Sequence, residues 1–227
     1  MKVCVFGASS DDIRDVYVRE TEHLGELMGQ NDMDLVFGGG QHGLMGAAAR
    51  GVRRSNGRVI SISPFIFNED DILFHDFSEL YLTRDLIERK QLMQEISDSF
   101  VAVPGGIGTI DELFEVYAQS HLGYYRKPLI LFNVNGYFDK LWQFVCESHE
   151  EGFISDNSML HCRVADSAEE FFEGSYFSRF VETLRMLDSI DKAALYEQWK
   201  DIAEGTQFNI GFKFLRSCTR GSNMRFS

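Results

Sequence analysis

The chain has few features that would place it outside the ordinary globular class. Only 3 prolines occur in 227 residues, and the composition is otherwise 44% apolar and 25% charged. Positive charge is scarce: the formal net charge is −13, and no basic run interrupts the acidic background. A sequence-tolerant nucleic-acid surface needs clustered Lys and Arg to displace counterions, so that class is excluded. A small anion remains compatible, provided the positive groups converge locally. The 4 cysteines, Cys4, Cys146, Cys162 and Cys218, show neither a C-x-x-C nor a zinc-like spacing, and no metal site is expected. No apolar stretch approaches the roughly 18–20 residues of a membrane span. The N-terminus opens directly into an apolar strand, without a signal peptide, and a reducing cytoplasm is the expected location. Internal repeats and low-complexity tracts are also missing.

What is present is an alternation of strand and helix patterns. Short apolar runs at Val3–Gly7, Asp34–Phe37, Val59–Ile62, Glu79–Leu82, Ser99–Val103 and Leu129–Asn133 read as buried parallel strands. Helical spacing covers Asp12–Gln30, Gly43–Gly51, Asp85–Ser97, Ile110–His121 and Tyr137–Glu150. The small residues of GLMGAAARG suggest close helix–sheet packing. The pattern predicts an α/β, Rossmann-like, doubly wound parallel sheet with helices on both faces. One catalytic domain over residues 1–187 is expected, followed by a helical extension over 188–227 with a frayed tail.

Ligands of such sheets collect at the carboxyl ends of the strands, where two glycine clusters fall. Pro104–Glu112 reads PGGIGTIDE. Gly105, Gly106 and Gly108 allow a tight turn and let an anion approach main-chain N–H groups. If Thr109 opens a helix, its free amides and dipole favour a phosphate there. Glu112 then has two readings: it caps the helix in a Thr109-x-x-Glu112 box, or it brings a carboxylate to the ligand. Asp111 reads as a helix-dipole or solvent residue. The second cluster, Gly38–Gly46 (GGGQHGLMG), places Gly39 and Gly40 at what is expected to be a neighbouring strand end. It fits neither the P-loop nor the dinucleotide fingerprint, and His42 reads as a loop residue. The adjacent cations Arg89 and Lys90 lie on the helix before the PGGIGT strand. A solvated face is the plain reading; an Arg there also suits a phosphate or ribose together with a carboxylate.

These elements, GGGQHGLMG (38–46), RKQLM (89–93) and PGGIGTIDE (104–112), resemble the LONELY GUY family of cytokinin riboside 5′-monophosphate phosphoribohydrolases, long mislabelled as lysine decarboxylases. The resemblance runs over residues 2–187, and EEGFIS at Glu150–Ser155 also fits it. It implies hydrolysis of the N-glycosidic bond of a nucleoside 5′-monophosphate, such as AMP or a cytokinin nucleotide, with no cofactor or metal and with a homodimeric assembly. It implies Arg89 and Glu112 as the catalytic pair, and phosphate contacts from Gly105, Gly106, Gly108, Thr109 and Lys90. Gly39, Gly40, Ser9 and an upstream acid, Asp71 or else Glu69, complete the implied substrate contacts. Three departures fall where base and sugar contacts are expected. Ala8 replaces a glycine of the family's early turn, Leu86 replaces a methionine, and Ala118–His121 replaces Thr-Trp-Ala-Gln. They keep open a rival reading, a non-catalytic nucleotide or cofactor carrier on the same scaffold. A pyridoxal-dependent decarboxylase is disfavoured, because Lys90 adjoins an arginine.

Overall fold

In a computed structural model, residues 1–67, 72–122, 124 and 127–172 are described. The expected extension over 188–227, and both Asp71 and Glu69, lie outside the described residues. Strands β1 (Lys2–Phe6), β2 (Asp34–Phe37), β3 (Val59–Pro64), β4 (Glu79–Thr83), β5 (Ser99–Ala102), β6 (Leu129–Phe132) and β7 (Cys162–Ala165) form one sheet. Its order is β4-β3-β2-β1-β5-β6-β7, and every pairing is parallel. The helices are α1 (Asp15–Gln30), α2 (Gly43–Arg54), α3 (Leu86–Ile96), α4 (Ile107–His121), α5 (Asp139–Glu150), α6 (Asp156–Met159) and α7 (Ala168–Phe172). The doubly wound Rossmann-like architecture read from the alternation is the observed fold.

Side chains alternate along each strand, and the core divides accordingly. Val3, Val5, Leu35, Phe37 and Val101 meet α1, α2 and α7 on one face. Cys4, Phe6, Val36, Phe100 and Ala102 meet α3, α4 and α5 on the other. The chain first winds outward from β1 to β4, then α3 carries it back to β5 on the opposite side of β1. Winding therefore reverses between β1 and β5, and the carboxyl ends of these strands open the crevice typical of ligand sites.

Three details depart from the sequence reading. β7 was not foreseen; it is a short edge strand interrupted by Arg163. The glycine clusters end β2 and β5, which flank β1 and are not neighbours. The small residues of α2 serve helix–helix rather than helix–sheet closeness. A Cβ on Gly51 would stand 2.0 Å from the Glu22 carbonyl of α1, and one on Gly25 would stand 2.3 Å from the Ala48 carbonyl of α2.

Because that contact is backbone against backbone on both helices, neither partner has a rotamer with which to yield. Gly51→Ala is expected to force α1 and α2 apart and destabilise the fold by about 2–3 kcal/mol, an overpacking cost. A urea-unfolding midpoint unchanged from the parent would contradict this account of the interface.

Candidate active site

The segment after β5 is built to bend and to stay open. Pro104 ends the strand, and Gly106 is the N-cap of α4 with extended backbone (φ −86°, ψ −153°). A Cβ on Gly105 would lie 2.0 Å from Thr109 Oγ1, so glycine is demanded there by internal packing. At Gly106 and Gly108 a Cβ would meet nothing within 4 Å, and neither has a positive φ. Among the described residues nothing requires glycine at those two positions. Open glycines of this kind leave room for an anion to approach main-chain N–H groups.

The helix begins at Ile107, earlier than the expected start at Thr109, which corrects the reading of Glu112. With Gly106 as N-cap, Thr109 is already inside the first turn and cannot form a capping box with Glu112. Glu112 lies in the second turn, its side chain only 10% exposed, and accepts a hydrogen bond from Arg89 Nη2 at 2.5 Å. Burial raises its pKa above the ordinary value, with Arg89 and then Lys90 opposing that rise. Leu113, Val116 and Tyr117 on the same helix are buried against the sheet and fix its rotation.

Arg89 reaches Glu112 because α3 is firmly started and correctly phased. Asp85 caps it, accepting from the Glu88 amide at 2.9 Å. Arg89 shares a face with Met93, one turn on and fully in the core. The guanidinium lies against Gly38 at the end of β2, where a Cβ would stand 2.9 Å from Nη1. Its Nε is buried and meets no acceptor among the described residues, so the group retains donor capacity beyond the ion pair.

The remaining expected residues divide. Thr109 is buried over Gly105, and Ser9 is exposed after β1. Lys90 is met by carboxylates of α4, with Asp111 at 3.0 Å and Glu115 at 2.5 Å, and these, Glu115 first, raise its pKa. A pyridoxal-binding lysine needs the opposite shift. Gly39 (φ +82°) and Gly40 hold the β2 loop in shape. The Gly39 carbonyl accepts from the Phe74 amide, and Gly40 bridges to Leu73. The start of α2 does not repeat the chemistry of α4. The Ala8 carbonyl takes the amides of Leu44 and Met45, while Asp11 takes that of Gly43 and pairs with His42. Of the departures, Ala118–His121 is at the far end of α4 from Glu112, with Ser120 buried and His121 bonded to Ser158. No group of three or more His, Cys, Asp or Glu side chains converges as a metal site among the described residues.

The sequence reading missed Gly38, Asp11 and Tyr137, whose hydroxyl donates to the Gly105 carbonyl at 2.7 Å. Position offers the signal for two of them: Gly38 follows a strand directly, and Asp11 lies in the β1 turn. Tyr137 carried no signal at all.

A doubly wound parallel sheet with an open turn and a buried Arg–Glu pair at the carboxyl end of β5 puts the chain in the Rossmann-like class. A family model described as "Possible lysine decarboxylase" matches residues 45–174. Cytokinin riboside 5′-monophosphate phosphoribohydrolase LOG5 of Arabidopsis thaliana is 36% identical over 76% of this chain and 75% of its own. LOG7 of the same plant is 32% identical over 90% of this chain and 96% of its own. The chain belongs to this LONELY GUY family, whose model keeps the decarboxylase label. Among solved structures, the molybdenum cofactor binding protein of Rippkaea orientalis superposes with a TM-score of 0.59 at 20% identity, covering 76% of this chain and 93% of that one. That likeness concerns the fold.

Removing one half of the buried pair leaves the other uncompensated. Arg89→Leu is expected to cost about 3–5 kcal/mol at neutral pH, and the double variant Arg89→Leu/Glu112→Leu to recover most of it. Urea unfolding of the four members of this cycle checks both values.

Proposed function

We propose that the protein hydrolyses the N-glycosidic bond of a nucleoside 5′-monophosphate, releasing free base and ribose 5-phosphate. The observation that carries this reading is the buried Arg89–Glu112 pair beside the open turn at Gly106–Gly108. It is supported by kinship with proteins named for that reaction. The 5′-phosphate sits on the leading amides of α4, and the ribose lies toward Glu112. As the C1′–N bond breaks, its electron pair leaves with the base and oxocarbenium character develops on the sugar. The Glu112 carboxylate stabilises that charge and orients water, whose oxygen bonds to C1′ while its proton is carried off to carboxylate and base. Arg89 holds Glu112 in place and keeps it ionised despite its burial. One carboxylate suffices because a nucleobase is easier to expel than a sugar hydroxyl. Ser9 and Lys90 lie at the rim of this arrangement, and AMP and cytokinin riboside monophosphates are the substrates to try first.

The working protein is a homodimer in this reading. Leu86 and Ile87 on α3 are 45% and 67% exposed and Ile107 on α4 is 90% exposed, an apolar surface beside the site that a second copy would cover. The expected location is the cytoplasm. No described helix is long and apolar enough to cross a membrane, and the described cysteines are unpaired.

Product analysis over AMP, GMP, IMP and cytokinin monophosphates tests the reaction. Glu112→Gln is expected to lower kcat by at least about 100-fold, the scale of a lost transition-state charge contact. Nucleotide binding without base release from any of them would instead make the protein a carrier. Because the ionised carboxylate is the working form and its pKa is raised, activity should fall on acidification through an apparent pKa above 4.5. An acid limb at or below that value would place the essential group elsewhere. Light scattering should give twice the 26.0 kDa chain mass.

A further inference from the structure

The carbonyls of the phosphate turn are held, one after another, by different elements. Pro104 O accepts from the Ala8 amide at 3.1 Å, and Gly106 O accepts from the Ile110 amide at 3.1 Å. Between them, Gly105 O accepts from the Tyr137 hydroxyl at 2.7 Å. In a trans peptide the C=O and the following N–H point in opposite directions, and the chain has no cis peptide among its described residues. Holding the Gly105 carbonyl therefore aims the Gly106 N–H the other way. Gly106 is a glycine with open space around it, so its own sterics do not fix that peptide plane.

Tyr137 is in turn aimed by a stiff corner. Its ring meets Phe138 edge-on at 5.0 Å and Tyr17 of α1 edge-on at 5.8 Å. The preceding turn carries Asn135 and Gly136 at positive φ. Asn133 braces the corner, accepting from the Phe138 amide and donating to Asp139 and Asp166. The tyrosine is 42% exposed, so burial does not oblige its hydroxyl to find a protein acceptor.

We infer that Tyr137 is a positioning residue: through the Gly105 carbonyl it orients the Gly106 amide toward the 5′-phosphate, and so sets affinity for the phosphorylated ligand. The inference rests on the phosphoribohydrolase reading for the nature of that ligand. Tyr137→Phe removes the hydroxyl and keeps both ring contacts.

The test compares Glu112→Gln with Glu112→Gln/Tyr137→Phe by titration calorimetry, using AMP and adenosine as probes on protein that needs no turnover. The Kd for AMP should weaken about five- to tenfold, the worth of one misdirected hydrogen bond to an anion, while that for adenosine stays within about twofold. In the otherwise unaltered protein, Tyr137→Phe should raise KM for AMP by the same factor, with kcat nearly unchanged. An unchanged AMP Kd, or equal weakening for AMP and adenosine, overturns the inference, whatever the thermal midpoint does. Failure of the parent protein to release base from any nucleotide counts against the proposed reaction alone, because the binding comparison does not depend on it.

Discussion

A carboxylate nine-tenths shielded from water is the most demanding object in this structure. Burying Glu112 calls for a partner to its charge, and one guanidinium from a different helix supplies it, the largest influence opposing the rise in pKa that burial causes. Meeting that requirement involves much of the fold. The crossover from β4 to β5 brings α3 alongside α4. The capped start of α3 and the buried Met93 set the phase of Arg89. Gly38 leaves the space in which the guanidinium lies. A structural ion pair of similar worth would need none of this at the mouth of the winding reversal, where burying apolar side chains is equally stabilising.

The proposed function requires a chain of net charge −13 to hold a phosphate. Lys90, the cation nearest the turn in sequence, is already met by Asp111 and Glu115, so little of its field is left over. In the proposed reading the attraction would come instead from the leading amides of α4, the helix dipole behind them, and Arg89. Main-chain donors carry no counter-charge to be neutralised by an acidic surface. They also act only over the first turn, so their pull on an anion is local.

Most of the sheet was legible because buried parallel strands are short apolar runs, and six of them end in glycine, proline or polar residues. β7 was not, since Arg163 breaks the run in CRVA and an edge strand needs less apolar cover. The start of α4 was misplaced for a physical reason. Gly108 is a poor helix former, yet it lies within the first turn of α4, in open space. Arg89 and Glu112 were legible only in combination with the glycine clusters; alone, each had a plain structural reading. Tyr137 was beyond reach, and Gly38 was legible only as the first glycine of its cluster. Their roles are steric and second-hand, one yielding space to a residue far along the chain and the other orienting a peptide plane.

The departures from the family pattern now separate into unlike cases. The Ala118–His121 stretch lies about 9–14 Å along α4 from Glu112, at 1.5 Å per residue, with Ser120 buried and His121 bonded to Ser158. That replacement has no direct path to a ligand within this chain. Ala8 is different. Its amide holds Pro104 O and its carbonyl caps α2, so its backbone joins the turns that follow β1 and β5 to the helix after β2. Its φ is not positive, and its methyl packs partly buried against the core, so alanine is carried there without strain. The alanine at this position is therefore absorbed by the core, and the turn after β5 and the helix after β2 stay tied to the end of β1 through the same backbone atoms.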